Sequence, residues 1–235
     1  MESNNLTSTD LGLKTNYLYE ILATTFSKQG KIPNTSAMGI RLISEDLMQM
    51  RPFQNTKTFQ NLRETGIVSI NLIDDIYLYA LAALKNKKLG IGFQDDHYDY
   101  EEMEIRLNLE SKSSKLMIPY INKSWAVMKC IVVGEKPIVK KDPLGDVELL
   151  ELQLRIISIR KFKDSQKLFN RAENIALESI ILATRLKASK ETHKEELFKE
   201  LHNKLDENIK DIKRFGKNPQ VQKVLDVISR YVEHL

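Results

Sequence analysis

Hydrophobic and polar positions change their period near residue 164. Before this point, short runs alternate with a period of two, most clearly at residues 150–156, where Leu and Ile alternate with Glu, Gln and Arg. Alternate side chains of a β-strand point to opposite faces, so this pattern predicts strands. After residue 164, apolar positions recur with a helical period. The pattern predicts a β-rich domain at residues 1–163 and a helical subdomain at residues 164–235.

The first part contains several candidate strands separated by turn-forming residues. The run at 17–26 is rich in aromatic and β-branched residues, and Ser-Lys-Gln-Gly-Lys at 27–31 is typical of a hairpin turn. Many short strands with few helices predict a barrel or a sandwich. Residues 88–120 show no clear pattern beyond one possible strand. The predicted strands are 17–26, 32–43, 47–50, 67–73, 104–109, 124–133 and 150–156, with a helix at 76–84 and a turn at 140–145.

The second part predicts three helices. Residues 169–186 are apolar around most of the helix circumference, which predicts burial on more than one side. Residues 191–215 have one apolar face. Gly216 and Pro219 then interrupt the chain before a last helix at 221–232.

The segment 55–66, Asn-Thr-Lys-Thr-Phe-Gln-Asn-Leu-Arg-Glu-Thr-Gly, predicts a short helix with an anion site at its start. Thr56 or Thr58 is a candidate N-cap, and Gly66 suits the left-handed position after the last turn. The free N–H groups of the first turn, together with the hydroxyl groups and Lys57, would bind a phosphate. The alternative is that the threonines only cap the helix.

Four polar residues lie on one stripe of the predicted helix at 169–186, namely Arg171, Asn174, Glu178 and Arg185. Charges on so apolar a helix must be paired or face a cavity. One reading is an ion-pair network between the helical subdomain and the barrel. The other is a polar wall of a ligand pocket. We assign Glu178 to the first reading and Arg185 to the second.

Composition describes an ordinary globular protein. The 235 residues are 42% hydrophobic and 29% charged, with a net charge of +4. Basic and acidic residues are interleaved from 185 to 217, so no nucleic-acid partner is expected. No apolar run reaches the length of a membrane span, and the first residues do not resemble a signal peptide. A single cysteine fits a reducing cytoplasm.

Other candidate chemistry has a simpler structural interpretation. Cys130 lies between apolar neighbours, so a buried inert thiol is favoured over a nucleophile. The acidic cluster Asp95-Asp96-His97 with Asp99 fits no standard metal-ligand spacing and predicts a solvated loop. Trp125 is interpreted as a core or dimer-interface residue. We therefore predict no catalytic side chain and no metal.

Several blocks of the sequence, in order, resemble the FMN-binding split barrels of the flavin-reductase-like superfamily, and in particular an archaeal-type subfamily of unknown function. The resemblance covers residues 17–187 and is weakest at 88–120. The matching blocks are Tyr19 to Thr25, Asn34 to Gly39, Arg51-Pro52-Phe53, Thr56-Lys57-Thr58-x-x-Asn61-Leu62 with Gly66 and Asn71, the Trp125 strand, Phe169 to Glu173, and Ala183 to Leu186.

The resemblance implies a split β-barrel with a C-terminal helical subdomain that binds FMN non-covalently between the subunits of a homodimer. The residues implied at the phosphate and ribityl chain are Thr56, Lys57, Thr58 and Asn61. Those implied along the flavin ring are Asn34, Thr35, Ser36, Ala37 and Met38. Arg51, which belongs to a matching block, and Arg185 complete the candidate set.

The implied activity is flavin-mediated oxidoreductase chemistry, in which FMN carries the reaction and the protein positions it. One departure is Gly39-Ile40-Arg41, where flavin reductases often have a second hydroxyl residue and a proline. The alternatives are a non-catalytic flavin-binding protein or electron carrier serving a partner enzyme, and a helical interaction module whose barrel no longer binds flavin.

Overall fold

The computed structural model describes residues 6–28, 32–83, 85, 88, 91–105, 114–142, 145–165, 168–217 and 219–235. The chain divides into two compact units. The first comprises Met1–Thr15 and Glu20–Leu168, and the second comprises Asn16–Tyr19 and Phe169–Leu235.

The first unit is a split β-barrel, as predicted. The strands of the structure are β1 (Leu18–Phe26), β2 (Pro33–Ser44), β3 (Leu47–Met50), β4 (Ile67–Leu72), β5 (Tyr98–Ile105), β6 (Ser114–Ile121), β7 (Ala126–Asp142), β8 (Gly145–Lys161) and β9 (Phe169–Asn170). The closed sheet of the barrel has the strand order β2-β3-β8-β7-β4-β1, and pairing between β2 and β1 completes it. The barrel interior is filled by fully buried aliphatic side chains, including Ile21, Ile40, Met48, Ile70 and Leu154.

Strands β7 and β8 form one long antiparallel hairpin. Pairing extends from Ala126 opposite Lys161 to Asp142 opposite Gly145, with irregularities at 129/130 and 132/134. The hairpin is longer than the strands predicted at 124–133 and 150–156, because these irregularities interrupt the alternation that marks a regular strand. The turn predicted at 140–145 lies partly outside the described residues.

Strands β5 and β6 form a second hairpin that covers one outer face of the barrel. Phe26 and Ile67 of the barrel pack with Met103 and Ile118 of the hairpin. All six residues of β4 are buried, because the barrel interior covers one face and the hairpin covers the other. This hairpin occupies much of the stretch that the sequence pattern left unassigned. The strand predicted at 104–109 begins earlier, at Tyr98, and its residues 106–109 lie outside the described residues.

The predicted short helices are present in the first unit as α1 (Lys57–Thr65) and α2 (Ile76–Ala83). The second unit contains α3 (Arg171–Glu191), α4 (Glu195–Phe215) and α5 (Pro219–Glu233), which confirms the predicted C-terminal helices. Helix α3 begins at Arg171 because Asn170 caps it, its Oδ1 accepting a hydrogen bond of 3.0 Å from Glu173 N. Leu182, Leu186, Leu205 and Ile228 join the three helices in one core cluster.

Within a single chain, α3 is buried on one side only, whereas the sequence predicted burial on more than one side. Its buried residues, among them Ala176, Leu182 and Leu186, share one face that packs on α4 and α5. Leu177 and Ile180 are exposed on the remainder of the helix. Helix α3 therefore has more apolar residues than the other helices of its unit cover.

Candidate functional site

The start of α1 is organised by Thr56. Thr56 Oγ1 donates to Phe53 O at 2.7 Å and accepts from Phe59 N at 3.3 Å, which makes Thr56 the N-cap. Gly66 ends the helix in the left-handed region at φ +66°, with its N–H bonded to Leu62 O at 2.8 Å. Within the described part of the chain, the N–H groups of Lys57 and Thr58 have no acceptor. Since Thr56 is the cap, Thr58 is available for another role.

Thr58 joins α1 to β2. The residue is buried, and its Oγ1 donates to Ser36 Oγ at 2.8 Å and accepts from Asn34 Nδ2 at 3.0 Å. Asn34 and Ser36 are both half-buried. The structure thus brings Thr58 together with Asn34 and Ser36, two predicted site residues that lie more than 20 positions earlier in the sequence.

Lys85, which the sequence analysis missed, reaches the same place from the segment after α2. Its Nζ donates to Asn34 Oδ1 at 2.9 Å, to Thr35 O at 2.6 Å and to Ser36 Oγ at 3.3 Å. Although the residue as a whole is exposed, its ammonium group is surrounded by these acceptors, and the resulting desolvation lowers the pKa of Lys85. All three acceptors are neutral.

We call Asn34, Ser36, Thr58 and Lys85, with the first turn of α1, the anion site. The three acceptors of the Lys85 ammonium group carry no negative charge, so they do not neutralise it as a carboxylate would. Two unpaired N–H groups and the positive end of the helix dipole lie on the same helix terminus, and Lys57 is exposed at its first position. This combination favours a small anion with several acceptor oxygens, such as a phosphate group.

Thr35 belongs to a buried hydrogen-bond chain under β2. Its Oγ1 lies 2.9 Å from Thr24 Oγ1 and 3.0 Å from Tyr98 Oη. Burial raises the pKa of Tyr98 to about 12. Asn71 continues the chain, because its Nδ2 donates to Thr24 Oγ1 at 3.0 Å and its Oδ1 accepts from Ile121 N at 2.8 Å. The Thr35 side chain therefore holds β2 in place through buried hydrogen bonds to β1 and β5. Only the backbone carbonyl of Thr35 takes part in the anion site.

Asn61 also points into the interior. It is fully buried, and its Nδ2 donates to Thr25 Oγ1 at 3.1 Å. Its Oδ1 finds no partner among the described residues. The predicted contact of Asn61 with a phosphate or ribityl group stays a prediction.

Two further candidates, Ala37 and Met38, continue along β2 and are half-buried.

Arg51 follows β3 and is held by Glu151, whose Oε2 accepts from Arg51 Nε at 2.8 Å and from Nη2 at 2.5 Å. Gln49 Nε2 donates to Glu151 Oε1 at 3.0 Å. Arg51 therefore has a carboxylate partner within its own chain, whereas the partners of Lys85 among the described residues are neutral.

Arg185, on α3 of the second unit, is exposed, and so are Arg171, Asn174 and Glu178. The expectation that Glu178 is buried in an ion-pair network within the chain is wrong, because Glu178 is exposed and forms no ion pair with any residue that the structure describes. The sequence could not show this, because burial depends on which helix face the neighbouring helices cover. A contact of Arg185 with flavin stays a prediction.

The remaining candidates lie in structural positions. Cys130 is fully buried, and burial raises the pKa of its thiol. Trp125 is also fully buried in a single chain, so it is a core residue. The described residues contain no group of three His, Cys, Asp or Glu side chains placed to hold a metal ion. Among the helices that the structure describes, none combines the length and apolar character needed to cross a membrane.

The sequence places this split barrel in a known family. The model for the family described as "Protein of unknown function (DUF447) N-terminal domain" matches residues 19–159, and the chain belongs to this family. The match confirms the subfamily of unknown function predicted from the sequence blocks. None of the curated proteins compared with the sequence matches it.

Several solved structures are similar to this one. An FMN-bound DUF447-family protein from Methanosarcina mazei has 16% sequence identity and a TM-score of 0.49, with 95% of this chain and 99% of that chain covered. A flavin reductase domain protein from Arthrobacter sp. FB24 has 10% identity and a TM-score of 0.44, with 64% and 81% covered. The nitrilotriacetate monooxygenase component B structure from Mycobacterium thermoresistibile has 15% identity and a TM-score of 0.44, with 66% and 78% covered.

Proposed function

We propose that this protein binds FMN non-covalently at the anion site and acts as a flavin-dependent oxidoreductase in the form of a cytoplasmic homodimer. The observation that carries the proposal is the position of Lys85 Nζ. It is held by neutral oxygen atoms of β2, one of which, Ser36 Oγ, lies 2.8 Å from Thr58 Oγ1. A site so rich in positive charge and hydrogen-bond donors calls for an anionic ligand group.

The residues present fit FMN. Its terminal phosphate suits Lys85, Lys57, the Thr58 hydroxyl and the free N–H groups at the start of α1. Ala37 and Met38 follow Ser36 along a half-buried stretch of β2, which leaves backbone groups and small or flexible side chains available for a planar ring. The M. mazei protein, a member of the same family, is FMN-bound, which agrees with this assignment.

Bound FMN would supply hydride or electron transfer through its flavin ring. The contribution of this chain is to bind and orient the cofactor. Lys85 and Thr58 anchor the phosphate, and the buried chain from Asn71 through Thr24 to Thr35 and Tyr98 keeps β2 in place beside it. The groups of the anion site are amides, hydroxyls and an ammonium, which suit cofactor binding.

The identity of the cofactor tests the proposal directly. Protein purified from its host, or reconstituted with a mixture of FMN and FAD, is denatured, and the released chromophore is identified by mass spectrometry. We expect FMN. Release of FAD, or no flavin after reconstitution, would overturn the assignment, since the anion site is formed for a single terminal phosphate and not for a pyrophosphate.

The second candidate function is that of a non-catalytic flavin-binding protein or electron carrier. The observation that favours it is Gly39-Ile40-Arg41, which departs from the pattern of flavin reductases at the end of the candidate flavin-contacting stretch. Anaerobic addition of reduced nicotinamide to the FMN-loaded protein separates the two. Rapid bleaching of the flavin absorbance indicates a reductase, whereas unchanged absorbance favours the carrier.

A further inference from the structure

Helix α3 has an exposed apolar strip that its own unit leaves uncovered. The exposed fractions of Leu177, Ile180 and Ile181 are 59%, 42% and 37%. These residues are three and four positions apart, so they follow one another along a single face of the helix. The opposite face, with Ala176, is buried against the other helices. An exposed strip of this kind indicates a contact surface.

Two opposite charges flank this strip on the same side. Glu178 and Arg185 are both exposed and lie seven residues apart, which is two helical turns or about 10 Å along the axis. Ile181 lies close to the midpoint between them. Neither charge forms a hydrogen bond or an ion pair with another described residue.

This arrangement is self-complementary about a twofold axis. If two copies of α3 cross in antiparallel orientation at Ile181, each Glu178 comes next to an Arg185 on the same flank of the other helix. In parallel orientation, the twofold axis runs along the helices and places this flank of the two copies on opposite sides of the interface, so neither Glu178 nor Arg185 gains a partner of opposite charge. The charge pattern therefore selects a second copy of the same helix, in antiparallel orientation.

We propose that α3 is part of the homodimer interface, where it binds the α3 helix of a second copy with Ile181 at the twofold axis. Glu178 then pairs with Arg185 of the partner subunit, and the pair occurs twice. This inference rests on the homodimer of the proposed function and names one surface that forms it. Glu178 and Arg185 lie at about equal distances from Ile181 along the helix, which is the spacing that pairing about a twofold axis requires. Binding of an unrelated protein does not require this spacing.

Charge reversal tests the pairing. Each of the single variants Glu178→Lys and Arg185→Glu converts two attractive contacts per dimer into repulsive ones, and should raise the dimer dissociation constant by about tenfold or more. The double variant E178K/R185E exchanges the charges and restores the pattern, so its dissociation constant should return to within about threefold of the wild-type value. Sedimentation equilibrium at low salt measures all three.

Matched controls are available on α4, where Lys204 and Glu207 are exposed. Lys204→Glu and Glu207→Lys make the same changes of net charge and should leave dimerisation unchanged. Thermal melting followed by circular dichroism verifies that each variant keeps its helices. All these positions are exposed, so the melting temperatures should stay close to that of the wild type.

The outcomes separate this inference from the proposed function. If the wild type is a dimer and both single variants have the same dissociation constant as the wild type, the subunits meet elsewhere. This result would overturn the α3 interface but not the homodimer. A monomeric wild type would overturn both. Loss of dimerisation in the single variants with no recovery in the double variant would also contradict the pairing. FMN content, measured in the same samples, reports on cofactor binding independently.

Discussion

At the scale of single residues, Thr56 and Thr58 have different roles although they are only two positions apart. Thr56 is the N-cap of α1 and is bonded to its own segment. Thr58 is bonded to Asn34 and Ser36 of β2. One threonine stabilises the helix, whereas the other connects the helix to the anion site.

The two threonines therefore predict different consequences of the same substitution. Thr56→Ala removes the cap and should lower the free energy of unfolding by about 1 kcal/mol, while the affinities for FMN and riboflavin fall together, if at all. Thr58→Ala removes a hydroxyl group from the anion site and should weaken FMN binding more than riboflavin binding. Urea unfolding and fluorescence titration measure these effects. Equal losses for both ligands in Thr58→Ala would show that its hydroxyl does not contact the phosphate.

The sequence predicted much of this site at the residue scale, because its signals are local. The capping threonine, the helix and Gly66 lie within the twelve residues 55–66, and the structure has the helix there. Lys85 could not be found in this way, because its partners are about 50 positions earlier in the chain. Following a predicted helix and preceding further lysines, it looks in the sequence like an ordinary solvated residue.

At the scale of elements, the β5–β6 hairpin is fixed to the barrel by a partly buried ion pair. The Lys129 side chain is 4% exposed, and its Nζ lies 2.7 Å from Glu101 Oε2. The next residue, Glu102, pairs with Lys115 at 2.6 Å, but these side chains are 53% and 68% exposed. Glu101 also lies 3.5 Å from Arg160 Nη1 through its Oε1, so its carboxylate is held at the barrel surface, whereas the Glu102 pair lies in solvent.

Substitution of the two glutamates should have unequal effects on stability. Glu101→Gln leaves the Lys129 ammonium buried without a countercharge and should lower the free energy of unfolding by about 1–3 kcal/mol, less than for a fully buried pair because Glu101 is itself partly exposed. Glu102→Gln, the matched control, should change it by less than about 0.5 kcal/mol. Chemical denaturation measures both. Similar values for the two variants would contradict a stabilising role for the Lys129 pair.

The sequence predicted the types of most elements better than their extents. The strands that form the barrel and the C-terminal helices were predicted, since each has its own periodicity. The hairpin was not recognised, because β5 carries acidic residues such as Glu101 and Glu102 that obscure any alternation. Glu101 is accommodated against the barrel by its ion pair with Lys129, a contact between distant segments that no local pattern contains.

At the scale of the whole molecule, the barrel brings three separate segments of the chain to one place. Asn34 and Ser36 come from β2, Thr58 from α1, and Lys85 from the segment after α2. We propose that this assembly recognises the phosphate group of FMN. Riboflavin has the same ring and ribityl chain but no phosphate, so the difference between the two affinities isolates the contribution of the anion site.

The most direct test is the ratio of the dissociation constants for riboflavin and FMN, measured by fluorescence titration in wild type, in Lys85→Met and in Lys123→Met. Lys123 is exposed in the turn after β6, so it controls for the loss of one positive charge. A charge-assisted contact to phosphate is worth about 1.5–3 kcal/mol, so Lys85→Met should weaken FMN binding by about tenfold or more and riboflavin binding by less than about twofold. The ratio should therefore fall in Lys85→Met and stay unchanged in Lys123→Met. An unchanged ratio in Lys85→Met would contradict the claim that the anion site binds the phosphate of FMN.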